Sequence, residues 1–170
     1  MTDEEAFLAA LAERPGDDLT RLVFADWLDE RGDGRAAYLR LVVEVAARIK
    51  ANRSCRRLAS QAGPLAEGIE LSWREVAGKR FSLRLDSFEP AHKLVTIGAV
   101  RGVTGAGLWE AKSLVESAPI VVRERLLLED ANCLRHQLEF GYWDGIWQEE
   151  GKFDPEAERC SRVSILNCVR

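Results

Sequence analysis

Histidine and cysteine are scarce: 170 residues hold 2 histidines and 4 cysteines. A zinc site needs about four ligands, and the cysteines show no knuckle spacing. Cys133 and His136 stand three apart on one expected helix, with no second pair to join them. No serine sits in a nucleophile elbow, and no cysteine has an evident histidine partner. Adjacent carboxylates such as Glu149 and Glu150 lie in a polar stretch and read as solvated charge. The sequence therefore offers no catalytic residue, no metal site and no cofactor, and the chain is read as a non-enzyme.

Long apolar runs are missing as well; none approaches the roughly 20 residues that span a bilayer. The amino terminus, MTDEEAFLAALAERPGDD, is acidic where a secretion signal is basic. The cytoplasm is the expected location, with reduced thiols and no membrane partner. Nor is there an excess of positive charge. Lys and Arg number 24 against 28 Asp and Glu, a net charge of −4, which argues against generic nucleic-acid binding. The charge is uneven, however. Asp3, Glu4, Glu5, Glu13, Asp17, Asp18, Asp26, Asp29, Glu30 and Asp33 crowd the first part, and a basic run of Arg48, Lys50, Arg53, Arg56 and Arg57 follows. That run can meet phosphates or form the solvated face of a helix or linker, and the acidic total favours the second.

What is present describes an ordinary globular chain, 46% hydrophobic and 31% charged, with room for one domain or two small ones. Thr2-Asp3-Glu4-Glu5 has the form of a capping box ahead of a helix through about Glu13. After a turn at Pro15–Asp18, with Asp18 as cap, a second helix is expected over Leu19–Arg31, its Leu22, Val23 and Trp27 toward a core. Gly32-Asp33-Gly34 ends it. A third helix, about Arg35 to Lys50, carries an apolar stripe of Leu39, Val42, Val43, Ala46 and Ile49. Asp26 has no second acid or histidine to work with and is read as structural, fixing a loop or paired with Arg21 or Arg31. Residues 1–50 thus make a helical module. Residues 51–78, broken at Gly63-Pro64 and Gly68, read as a linker from which Ile69, Leu71, Trp73 and Val76 pack onto a neighbour.

From Lys79 the pattern changes. KRFSLRL alternates as a strand with one buried face. His92–Arg101 reads as a short helix with Leu94, Ile97 and Val100 along one side. Gly102 is expected at the helix stop with positive φ, and Thr104 as the cap of the next helix. Gly105 and Gly107 are expected to let the two helices approach closely. Leu108, Ala111, Leu114 and Val115 repeat at helical spacing, and Pro119 closes the segment. These glycines follow a helix, whereas a phosphate loop or dinucleotide fingerprint follows a strand at another spacing. Ile120–Leu126 reads as a second strand and Glu129–Phe140 as a helix through Leu134 and Leu138, ended by Gly141.

The fold class is α+β: a small helical unit, then a strand-helix-helix-strand-helix(-strand) domain over 79–148. Residues 149–170 form a tail in which Arg162–Val169 is either the closing strand or an added edge strand. Trp143 and Trp147 read as core, with an exposed contact as the alternative.

Two stretches resemble known families. AVRGVTGAGLWEAKSLVESAP, Ala99 to Pro119, closely resembles the signature of the bacterial ribosomal stalk protein's C-terminal domain, the large-subunit seven/twelve protein. Val100, Arg101, Gly102, Thr104, Gly105, Gly107, Leu108, Glu110, Ala111, Lys112, Leu114, Val115, Glu116, Ala118 and Pro119 occupy matching positions. The resemblance runs from about Phe81 to Gly141. It implies a docking surface without a catalytic centre, whose partner is a protein: a translation elongation factor (a translational GTPase) or a ribosome-associated protein. It puts that surface on the exposed side of the first two helices, at Lys93, Ile97, Arg101 and Lys112. Gly98 stands where the family commonly has a lysine, and Trp109 replaces a second one. Positive charge is lost and a large amphipathic contact is gained. An acidic helical module stands where the stalk protein has dimerisation helices, and no Ala/Gly-rich hinge follows, so a paralogous use of the domain is expected.

MTDEEAFLAALAERPGDD through RLVFADWLDERGD, about Met1 to Leu41, resembles the repeat-companion domain, an amino-terminal module of many planctomycete and myxobacterial proteins. It implies a partner-binding or targeting role, although Ala36-Ala37-Tyr38 departs from its pattern. Two other readings stay open. One is a Clp-protease-adaptor-like protein, by architecture alone and with no acidic pocket located for an N-terminal amine. The other is ribosome or RNA attachment through residues 48–57.

Overall fold

A computed structural model of the protein describes residues 2–141 and 159–168, which divide into two compact units. Among the described residues the first unit holds 2–81 and 127–130, and the second 82–126, 131–141 and 159–168.

The first unit opens on α1 (Asp3–Glu13), whose capping box is complete: Glu5 N–H donates to Thr2 Oγ1 at 3.2 Å and Thr2 N–H to Glu5 Oε2 at 2.7 Å. Helix α2 (Asp18–Asp29) begins one residue earlier than expected, so its cap is Asp17 and not Asp18. Thr20 donates its N–H to Asp17 Oδ1 at 3.0 Å and its hydroxyl to Oδ2 at 2.8 Å. These bonds, the backbone one first, hold the Asp17 carboxyl below its ordinary pKa.

The buried face of α2 also differs from the expectation. Arg21, Phe24, Ala25 and Leu28 are buried, whereas Leu22 and Val23 are exposed and Trp27 is half-buried. Both stripes have helical spacing, and packing chooses between them. The Phe24 ring stacks on Phe7 at 4.8 Å, and Arg21 reaches four backbone carbonyls.

Arg21 donates to Ala77 O at 2.9 Å, Gly78 O at 2.9 Å, Pro15 O at 2.6 Å and Asp17 O at 3.3 Å. It is therefore not committed to Asp26. That carboxylate pairs instead with Arg40 at 2.8 Å, while Arg31 lies over the Trp27 ring at 3.7 Å. Helix α3 (Arg35–Lys50) follows a left-handed Gly32, φ 68°, and buries Leu39, Val42, Val43 and Ala46 as expected. Ile49 is only half-buried, and Ala36, Tyr38, Leu41 and Val45 widen the buried face.

The stretch expected as a linker holds three short helices, α4 (Arg56–Ala59), α5 (Ala62–Ala66) and α6 (Leu71–Ala77), and lies within the first unit. Trp73 is buried and approaches the Phe24 ring at 5.8 Å, and its indole N–H donates to Glu4 at 3.0 Å. Leu71, in contrast, is exposed.

The second unit is a three-stranded antiparallel sheet with helices. Strand β1 (Phe81–Phe88) lies between β2 (Ile120–Leu126) and β3 (Ser161–Asn167). Phe81, Leu83 and Leu85 are buried, as the alternation of KRFSLRL requires. The final stretch forms β3, at the edge of the sheet beside β1. Ser164 donates to Asp86 at 2.5 Å across that pairing. A 3-10 turn (Pro90–His92) leads to α7 (Lys93–Thr104), then α8 (Leu108–Glu116), and α9 (Leu128–Phe140) ends at Gly141 with φ 71°.

The mixed α+β class is thus the observed one. No helix among the described residues is long and apolar enough to cross a membrane. Trp143, Trp147, Glu149 and Glu150 lie outside the described residues.

Candidate functional site

Helices α7 and α8 form the corner that the glycine-rich segment suggested, but its joints differ. Helix α7 runs through Gly102 to Thr104, because Val103 adds one more buried apolar residue to the core face. The left-handed residue is Gly105, φ 73°, which caps the helix. The Thr104 hydroxyl donates to Val100 O at 2.7 Å and accepts from Ala106 N–H at 3.2 Å. It therefore finishes α7 and does not start α8, whose cap is the extended Gly107. A Cβ at Gly105 or Gly107 would meet nothing within 4 Å. Backbone conformation, not close helix approach, is what Gly105 supplies.

The longer helix moves the core face. Thr96, Ile97, Ala99, Val100 and Val103 are buried, and Ala111 and Val115 face them from α8. Ile97, carried over as a partner-binding residue, is 4% exposed and belongs to this core. Leu94, assigned to the core stripe, is 84% exposed. At about 100° per residue it falls with Gly98 and Arg101, opposite the Ala99–Val103 side. Leu108, also assigned inward, is 66% exposed in the first turn of α8, beside Trp109 at 81%.

Of the remaining candidates, Lys93, Lys112 and Trp109 are linked by contacts. Lys93 Nζ lies 2.5 Å from Glu116 Oε1, and Lys112 Nζ is 4.0 Å from the same oxygen. Lys112 Nζ also sits 5.2 Å from the centre of the Trp109 ring. The Lys93 hydrogen bond, ahead of the charges of Lys93 and Lys112, holds the Glu116 carboxyl below its usual pKa. Arg101 is exposed and has no ion-pair partner among the described residues. The two helices therefore combine cations with four exposed large apolar side chains, Leu94, Val95, Leu108 and Trp109. Leu94 and Leu108 were missed as surface residues; extending α7 to include Val103 would have turned Leu94 outward.

Elsewhere, candidate chemistry is thin. Cys133 is exposed, and the His136 ring stacks with Phe140 at 6.1 Å. Among the described residues no group of three or more His, Cys, Asp or Glu is placed to hold a metal ion. In the basic run, Arg48 pairs with Glu44 at 3.0 Å and Lys50 lies 3.5 Å from Asp18.

Comparison with known proteins points to the same region. The family model for the ribosomal protein L7/L12 C-terminal domain matches residues 81–141. The chain is 44% identical over 80 residues to the large ribosomal subunit protein bL12 of Leuconostoc mesenteroides, covering 47% of this chain and 65% of that protein. It is 41% identical over 90 residues to bL12 of Acinetobacter baylyi, covering 53% of this chain and 69% of the relative. Against bL12 of Prochlorococcus marinus it is 44% identical over 59 residues, 35% of this chain and 45% of that one. The chain thus spans between about half and two thirds of these relatives. The matched span holds β1, α7, α8, β2 and α9, the elements that build the corner. Through residues 81–141, the chain belongs to the ribosomal protein L7/L12 C-terminal domain family.

Proposed function

We propose that the chain is a non-catalytic, translation-related docking protein whose α7–α8 outer surface binds a protein partner, a translational GTPase. One observation carries this reading: Trp109 and Leu94, 81% and 84% exposed, stand on the surface that also presents Lys93, Arg101 and Lys112. Large apolar side chains left in water at a helical corner are contact residues in waiting, and the cations beside them can pair with individual carboxylates of a partner. Membership of the L7/L12 family supports a ribosomal, translation-related setting for that contact. The basic run 48–57 is a weaker candidate surface, because Arg48 and Lys50 already meet carboxylates.

The test is calorimetric titration of the full chain with the elongation-factor GTPases of its own cell. Binding is expected for the natural sequence. The triple variant Lys93→Glu, Arg101→Glu, Lys112→Glu is expected to lose at least about tenfold in affinity. Unchanged affinity in that variant, or no binding by the natural chain, overturns the reading.

A further inference from the structure

Charge on the α7–α8 surface is largely spent internally. Lys93 and Lys112 share Glu116, at 2.5 and 4.0 Å, and Lys112 also lies against the Trp109 ring. That leaves Arg101 as the surface cation with no carboxylate partner among the described residues. On the same helix Leu94 and Val95 are exposed apolar side chains. Along the outer side of α7, Leu94 is followed at helical spacing by Gly98, Arg101, Gly102 and Gly105, so three of the four positions beyond Leu94 have no side chain. The stripe spans roughly 16 Å at 1.5 Å per residue, about three helical turns. Leu94 stands at one end, and Leu108 and Trp109 lead away from the other.

Resting on the docking role proposed above, we infer that this surface takes an apolar amphipathic helix of about three turns that presents a single carboxylate to Arg101. The partner helix lies along the stripe of Gly98, Gly102 and Gly105, where no side chain stands in its way, its large apolar side chains against Leu94, Leu108 and Trp109. A strongly acidic partner is disfavoured. The exposed carboxylate of Glu110 repels it, and pulling Lys93 away from Glu116 breaks an existing bond. Most of the binding free energy then comes from apolar burial, which salt does not screen, and one ion pair sets the register.

Two three-turn helical peptides serve as probes for titration by fluorescence anisotropy against the full chain. One carries leucines along one face and a single aspartate; in the other, acidic residues replace the leucines. The leucine peptide is expected to bind more tightly, its Kd shifting less than about threefold between about 0.05 and 0.5 M KCl. Trp109→Ala and Leu94→Ala are each expected to weaken it about tenfold without lowering the melting temperature. Gly98→Lys together with Trp109→Lys is expected to shift preference toward the acidic peptide and steepen the salt dependence.

Tighter binding of the acidic peptide, binding of neither peptide, or indifference to Trp109→Ala overturns the inference. The two proposals fail separately. Leucine-peptide binding without any GTPase binding removes the GTPase and keeps this partner chemistry. GTPase binding that collapses in salt does the reverse.

Discussion

The Tyr38 hydroxyl on α3 donates a hydrogen bond to Glu129 Oε2 at 3.0 Å, and Arg74 on α6 pairs with the other oxygen of that carboxylate. Glu129 belongs to a four-residue segment, Leu127–Asp130, that is part of the first unit although the chain reaches it only after β2. Leu127 and Leu128 are buried there, and Leu127 is among the atoms nearest Gly78. Burial, then the nearby Glu129 charge, pushes the Tyr38 phenol pKa well up, so it stays a neutral donor at any physiological pH.

Removing one member of this cluster costs according to what is left unpaired. Tyr38→Phe leaves the Arg74–Glu129 pair intact and is expected to cost about 1 kcal/mol. Glu129→Ala strands both a largely buried guanidinium and a phenol, and is expected to cost about 3 kcal/mol. Urea unfolding of both variants checks the order; equal costs would mean that Glu129 organises nothing.

Arg21 makes a stricter case, since its side chain is wholly buried and its fork is spread over four carbonyls. Arg21→Met leaves Ala77, Gly78 and Pro15 carbonyls without that donor, an expected loss of about 3 kcal/mol. Arg21→Lys is expected to recover little, because a compact ammonium cannot span the same acceptors. Full recovery by lysine in thermal melts would contradict the account.

Acid stability follows from carboxylates that stand just ahead of α2 and α3. Arg35 hydrogen bonds hold the Asp33 carboxyl below its ordinary pKa, and Thr20 does the same for Asp17. A lowered folded pKa means stability that is complete above the unfolded value, near pH 4, and lost as pH falls through the folded one. The natural chain is expected to lose stability below about pH 4 more steeply than Asp33→Asn or Asp17→Asn. Parallel pH profiles for the three proteins would remove these groups from the explanation.

The helical ladder of the first 50 residues was legible because capping boxes, turns and glycine stops are local signals. Which face of α2 is buried was not. Leu22–Val23 and Phe24–Leu28 offer equally spaced stripes, and only the Phe7 stack and the carbonyls around Arg21 decide between them. The three short helices between Arg56 and Ala77 hid behind Gly63-Pro64 and Gly68. At the site, Arg101 and Trp109 are exposed and Lys93 and Lys112 half-buried. Ile97 keeps its place in the apolar stripe and Leu94 leaves it, because the buried stripe continues to Val103, past the expected helix end.

The placement of these two residues is itself testable. Ile97→Ala empties a packed position and is expected to cost about 2–4 kcal/mol while leaving partner affinity intact below the melting transition. Leu94→Ser is expected to leave stability within about 0.5 kcal/mol and to weaken binding. The opposite pattern, measured by chemical denaturation alongside titration, would restore Ile97 to the surface.

The most direct measurement of the central claim is the affinity of the full chain for an elongation-factor GTPase before and after Trp109→Ala. The indole is 81% exposed, so its removal should not disturb the fold. A loss of about tenfold or more with an unchanged melting temperature is the predicted result. Identical affinities for the two proteins would contradict it and move the contact away from the outer surface of α7 and α8.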